Sequence, residues 1–193
     1  MKNLSDFILI ENLLDEETCK KIISFSESQK SWQKHTWYDG KSSKLSTKKD
    51  DMEYEEFDVL YLNEDHSEAN GIIYPILIDF CKKYCSIFSF DGSTFVNRIF
   101  PIRVNKYDQN TEMKKHYDHI QSLFSPPIKG IPALTILGFL NDDYEGGEFI
   151  LFDDQKIETK RGDIIIFPSN FMYPHSVNKI NKGTRYSFVT WAA

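Results

Sequence analysis

Three side chains in the second half of the chain have the types and spacing to hold a metal ion. His116 and Asp118 stand two residues apart in KKHYDHI, and His175 follows far downstream in YPHSV. Residues two apart on a strand share a face, so one imidazole and one carboxylate can aim at one point, with His175 completing the set from another strand. Two imidazoles and a carboxylate on one face of an octahedron leave three positions open, the donor set of non-haem Fe(II) sites, and zinc hydrolases use similar ligands. An HxD tripeptide alone is weak evidence, because His116 beside two lysines also suits a surface residue. Near the chain end, Arg185 and Ser187 share a face of TRYSFVTW with Val189 and Trp191. A guanidinium forks onto a carboxylate with two parallel hydrogen bonds, and a nearby hydroxyl adds a third. The pair therefore suits a dicarboxylic acid whose other end chelates the metal; a surface arginine on a strand edge is the plainer alternative. Upstream, Arg103, Asn105 and Tyr107 alternate with Ile102, Val104 and Lys106. That alternation directs Tyr107 either into the same cavity as a hydroxyl donor or into the core. Arg103, Asn105 and Trp191 are candidate substrate contacts.

Other candidates read more plainly. His119 faces away from Asp118 on a continued strand and is left out of the donor set. His66, among Glu64, Asp65 and Glu68, fits a solvated turn, and His35 lies beside a lysine-rich stretch. Trp32, Trp37, Tyr38 and Tyr61 suit either a peptide groove or the core.

The elements that position these groups follow from periodicity. DFILI, residues 6–10, reads as a strand, and Asp15 as the N-cap of a helix carrying Cys19, Ile22, Ile23 and Phe25. GKSSKLSTKKDD, residues 40–51, supplies no buried face, which predicts a mobile loop and a candidate lid. A second helix is predicted over residues 69–88, with Pro75 its awkward residue. From about Thr94 the chain breaks into short β-rich runs: FVNRIF, IRVNKY, ALTILGFL, GEFILF, KIET, DIIIF, HSVN and TRYSFVTW. EGGE, TKRGD and NKGT supply turns, and so many short strands point to a sandwich or jelly roll. HIQSLFSPPIKGIP, residues 119–132, is a binding loop or a structured detour.

Taken in order, Tyr107, the HxD of His116 and Asp118, ALTILGFLNDDYEGGEFILF, TKRGDIIIF, His175, and Arg185 with Ser187 resemble the Fe(II)- and 2-oxoglutarate-dependent dioxygenases of the prolyl 4-hydroxylase-like branch. The likeness covers about Arg98 to Ala193, and DFILIENLLDEETCKKI is similar to the strand and helix preceding the barrel in that branch. The resemblance implies a mainly β (α+β) fold, a cupin-like double-stranded β-helix with supporting N-terminal helices. It implies Fe(II) on His116, Asp118 and His175, which are then both catalytic and metal-binding. It also implies 2-oxoglutarate held by Arg185, Ser187 and Tyr107, O2 as co-reactant and ascorbate as an auxiliary. The implied reaction hydroxylates an unactivated C–H bond, on a prolyl or other side chain of a protein or peptide, with decarboxylation of 2-oxoglutarate to succinate and CO2. The alternatives are a free amino acid or other small molecule as acceptor, or a non-catalytic binding module. Arg185 in place of the lysine of collagen-type enzymes argues against assuming a collagen-like substrate. Phe139 stands where some relatives carry a tyrosine, and Trp191 where nucleic-acid demethylases carry a second arginine.

Composition sets the outer limits. A chain of 193 residues predicts one domain, 1–193, with 1–97 as helical support and candidate lid and 98–193 as the oxygenase core. With 23 Lys+Arg against 29 Asp+Glu the net charge is -6, which disfavours nucleic acid as a partner. Cys19, Cys81 and Cys85 form no CxxC pair and read as buried small hydrophobes in a reducing compartment. No run approaches the roughly 20 apolar residues of a membrane span. The expectation is a cytoplasmic protein without a membrane partner, a monomer or weak homo-oligomer.

Overall fold

Alternating apolar residues in the second half become two facing antiparallel sheets, and the helical periodicities of the first half cover one of them. The computed structural model describes residues 2–39, 44–46, 56–62, 67–89, 96, 98–118 and 132–193. Its strands are β1 (Leu9–Asn12), β2 (Gln33–Lys34), β3 (Trp37–Asp39), β4 (Lys44–Ser46), β5 (Asp58–Tyr61), β6 (Arg103–Tyr107), β7 (Met113–His116) and β8 (Leu134–Phe139). They continue with β9 (Glu145–Gly146), β10 (Phe149–Leu151), β11 (Gln155–Ile157), β12 (Asp163–Pro168), β13 (His175–Val177), β14 (Ile180–Lys182) and β15 (Arg185–Ala192). Two helices, α1 (Glu16–Ser28) and α2 (Ser67–Ile87), lie in the first half. The larger sheet runs β1-β12-β8-β15-β6-β5-β2 and the smaller β11-β10-β13-β7. This is the mainly β, jelly-roll arrangement expected from the sequence, with two N-terminal helices.

The helices pack on the outer face of the larger sheet. Asp15 caps α1 by accepting from the Thr18 N–H at 2.7 Å, and Cys19 and Ile22 turn inward. On α2, Ala69, Ile73, Leu77, Phe80, Cys81 and Tyr84 form a helical stripe against Leu60, Ile102, Val104, Ile136, Ile166 and Phe188. Each such large apolar side chain contributes about 1.5–3 kcal/mol on burial. Gly138 makes room for Phe188, since a Cβ there would lie 2.1 Å from the ring. All three cysteines are free and buried, as expected. Helix α2 runs through Pro75 because both Pro75 and Gly71, whose carbonyl a proline cannot bond, lie exposed, where water satisfies the carbonyl.

Between the sheets, Leu137, Phe139, Phe149, Leu151, Ile165, Phe167 and Val189 build a second apolar cluster. It closes around the β12 end of the cleft. The turn before β12 depends on Gly162, whose φ is +87° and where a Cβ would sit 2.0 Å from the Leu14 carbonyl oxygen.

Several sequence expectations change. DFILI is not one strand: Leu4–Phe7 form a 3-10 turn, and pairing begins at Leu9, opposite Ile166. FVNRIF contributes only a bridge, Ile99 to Ala192, among its described residues. Within the lysine-rich stretch, Lys44–Ser46 pair with Trp37–Asp39, so these residues are strand and not loop; backbone pairing needs no apolar side chain. The rest of that stretch, with its lid, and His66, His119 and nearly all of HIQSLFSPPIKGIP lie outside the described residues.

Candidate active site

Backbone register brings the metal-type side chains together. His116 on β7 stands directly opposite His175 on β13, and a bulge lies between this pair and Met113–Val177. The bulge places two exposed lysines, Lys114 and Lys115, between inward Met113 and inward His116, a phase strict alternation would forbid. Asp118 lies two residues beyond the end of β7, so it is set by the chain leaving the strand and not by the strand face inferred from HxD. His116 Nε2 and His175 Nε2 each lie 3.8 Å from an oxygen of Asp118, and the three potential donor atoms lie within 4.8 Å of one another.

Hydrogen bonding prepares both imidazoles as ligands. The Nδ1 atoms face the carbonyls of Lys114 (2.8 Å) and Tyr173 (3.0 Å). A carbonyl only accepts, so each Nδ1 carries the proton and each Nε2 presents its lone pair toward Asp118. Burial, reinforced by the neighbouring His175, pushes His116 down to about 3, which keeps it neutral. Burial opposes ionisation of Asp118, but His175, His116 and hydrogen bonds from Trp191 and Thr135 outweigh it and hold the carboxyl below its usual range. The Thr135 hydroxyl donates to Asp118 Oδ2 at 2.8 Å. Phe149 and Phe167 pack on the His175 ring with centroids 5.7 and 5.4 Å away.

The second group lies deeper in the same cleft. Arg185 is 1% exposed, Ser187 0% and Tyr107 2%, and β15–β6 register puts Arg185 opposite Tyr107 and Ser187 opposite Asn105. Arg185 donates from Nη1 to Ser187 Oγ at 3.0 Å, and its guanidinium lies 5.1 Å from the Tyr107 ring centre and 5.3 Å from that of Phe139. Its Nε and Nη2 are buried and have no hydrogen-bond partner among the described residues. Burial raises Tyr107 above its ordinary value despite the neighbouring arginines, so it remains a phenol able to donate. Arg103, Asn105, Tyr107, His116, Asp118, Thr135, His175 and Arg185 line one cleft.

All three candidate metal ligands, two of the three candidate acid-binding residues (Tyr107 and Arg185), and Arg103 and Asn105 thus line one cleft, while Ser187 does not line it and meets it only through its bond with Arg185. Trp191 does not line it, but lies under the Arg103 guanidinium at 5.7 Å. Sequence reasoning missed Thr135. Its signal is register, since it pairs with Trp191 across β8–β15, and no local motif carries that. His35 is buried beside Glu56 (Nδ1 to Oε2, 3.3 Å) and stacked on Phe57, which in turn stacks on Tyr107. Trp32 donates to the Ser26 carbonyl and packs against the core, while Tyr61 is exposed.

Comparison with known proteins agrees with this geometry. Residues 102–193 match the 2OG-Fe(II) oxygenase superfamily. A PKHD-type hydroxylase from Delftia acidovorans is 29% identical over 133 residues, 65% of this chain and 56% of that protein. Another from Pseudoalteromonas atlantica is 25% identical over 95% of this chain and 76% of its own. The chain spans about half the length of the curated relatives it matches. The fold matches a Pseudomonas putida prolyl-4-hydroxylase (TM-score 0.68, 13% identity, 96% of this chain and 91% of that one). It also matches a Trichoplax adhaerens prolyl hydroxylase solved with a hypoxia inducible factor peptide fragment (0.70, 15%, 97% and 84%). Over residues 102–193 the chain is thus similar to the 2OG-Fe(II) oxygenase superfamily, and its fold is one that prolyl hydroxylases share. No helix among the described residues is long and apolar enough to cross a membrane.

Proposed function

We propose that the protein is a hydroxylase that uses Fe(II), 2-oxoglutarate and O2 to insert oxygen into an unactivated C–H bond, on a prolyl or other side chain of a protein or peptide, with succinate and CO2 as co-products. The observation that carries this reading is Arg185, a buried guanidinium with two unsatisfied donors among the described residues, in the same cleft as two imidazoles and a carboxylate. A buried cation left unpaired is costly, and a dicarboxylate reaching from the metal would satisfy it. The donor set fits Fe(II): two nitrogens and one oxygen, leaving room for three further ligands. Bound iron and 2-oxoglutarate supply the oxidising chemistry, which no amino-acid side chain can provide.

The chain's own residues bind and orient. His116, Asp118 and His175 would hold the metal, with Lys114 and Tyr173 carbonyls fixing the imidazole tautomers and Thr135 fixing the carboxylate. Arg185 forks onto the distal carboxylate, Ser187 orients the guanidinium, and Tyr107 donates its phenol proton to the same group. Phe139, Phe149, Phe167 and Val189 make the inner cleft apolar, which strengthens these contacts and excludes water. Residues 98–193 form the catalytic core and 1–97 its support. Peptide acceptors are favoured by the prolyl hydroxylase neighbours, one solved with a peptide fragment.

The test is succinate production from 2-oxoglutarate under air. The parent protein with Fe(II) should form succinate, and more when acceptor is added. Asp118→Ala and His175→Ala should form none above background. Parent protein that binds iron yet makes no succinate would remove the oxygenase reading.

A further inference from the structure

Arg103 is a second guanidinium in the cleft, and holding the cosubstrate does not require it. It lines the cavity that contains the His116, Asp118 and His175 cluster. Its Nε donates to Asn105 Oδ1 at 2.9 Å, with Asn105 2% exposed, and its guanidinium lies over the Trp191 ring. These two contacts fix the plane of the group, and among the described residues neither Nη atom makes a hydrogen bond or ion pair. Among the described residues no carboxylate lies within ion-pair distance of it, whereas Glu56, the buried acid behind Tyr107, faces His35 at 3.3 Å. Register separates the two arginines: Arg185 pairs with Tyr107, and Arg103 sits four residues earlier on β6, opposite Val189. Arg185 is held by Ser187 and Arg103 by Asn105, so the two guanidinia are fixed by different partners.

Resting on the hydroxylase reading above, we propose that Arg103 recognises a carboxylate on the acceptor, so that the substrate class is a carboxylate-bearing side-chain donor rather than a neutral one. A planar fork held by Asn105 and Trp191 is suited to bidentate pairing with such a group. Arg103 lines the same cleft as His116, Asp118 and His175, so an acceptor seated on it is placed beside the metal ligands. The carboxylate has two sources, a free α-carboxylate or an acidic side chain adjoining the reacting residue. The chemistry at Arg103 is common to both.

The experiment uses the full chain, loaded anaerobically with Fe(II) and 2-oxoglutarate, and reads paramagnetic relaxation of the probe's proline protons by NMR. One arm compares N-acetyl-proline with N-acetyl-prolinamide; the other compares capped Pro-Asp with capped Pro-Asn. In at least one arm the acid should bind tenfold or more tightly than its amide, and the responding arm identifies the source. Arg103→Gln should erase that preference, Arg103→Lys should restore part of it, and 2-oxoglutarate affinity should stay within about threefold of the parent. The proposal is overturned if acid and amide behave alike in both arms, if Arg103→Gln keeps the preference, or if it weakens 2-oxoglutarate as much as the probe. Failure of the hydroxylase reading appears separately, before any probe is added, as a parent protein that does not take up iron and 2-oxoglutarate.

Discussion

Replacing Arg185 with lysine isolates the contribution of the planar fork. In the parent, Nη1 is held by Ser187 and two further nitrogens await a partner. Lysine keeps the positive charge but offers one compact ammonium, so at least one charge-assisted hydrogen bond to the distal carboxylate is lost. Such a bond contributes about 1.5–3 kcal/mol, which is a weakening of roughly 10- to 150-fold at 1.4 kcal/mol per decade. Calorimetric titration of 2-oxoglutarate into anaerobic Fe(II)-loaded protein measures the change directly. Fe(II) affinity in the absence of 2-oxoglutarate should change less than about threefold, because Arg185 touches none of the three metal-type side chains. Parent-like 2-oxoglutarate affinity in a folded Arg185→Lys protein would refute the reasoning and assign the acid to another cation.

Three further outcomes are expected. Thr135→Val, nearly isosteric, removes the donor to Asp118 Oδ2 and should weaken Fe(II) by about 10- to 100-fold in a metal titration while leaving the far-ultraviolet circular dichroism unchanged. Gly162→Ala forces a side chain into φ +87° and against the Leu14 carbonyl; a loss of about 2 kcal/mol or more should lower the thermal midpoint by roughly 4–8 °C. His35 has its pKa lowered from 6.5 chiefly by burial, so folding favours the neutral ring. Its stabilisation is present above pH 6.5 and is lost as pH falls through the depressed folded value; His35→Gln should therefore flatten the acid side of a stability-versus-pH curve measured by urea unfolding.

Much of the site was legible because its parts are written locally. Asp15 capping, the stripe of α2 and the strand runs after Arg103 follow from spacing alone, and His116, His175 and Arg185 stand out by residue type. What escaped depends on pairing between distant strands. The bulge that turns His116 inward arises from the β7–β13 register. The bond from Thr135 to Asp118 joins residues on separate elements, and Thr135 is placed by its pairing with Trp191 across β8–β15, a relation no local pattern encodes. Likewise DFILI, residues 6–10, reads as one strand, yet Asp6 and Phe7 belong to a 3-10 turn and the sheet edge pairs only from Leu9, where β12 supplies its partner.

The central claim is that one cleft holds iron through His116, Asp118 and His175 and 2-oxoglutarate through Arg185. Its most direct test is an anaerobic titration of the metal-free protein with Fe(II) and then 2-oxoglutarate, following the visible metal-to-ligand charge-transfer absorption, with folded His116→Ala as control. The account predicts a saturable band at one equivalent in the parent and none in the variant; a folded parent that gives no band, or a variant that gives the same band, would contradict it.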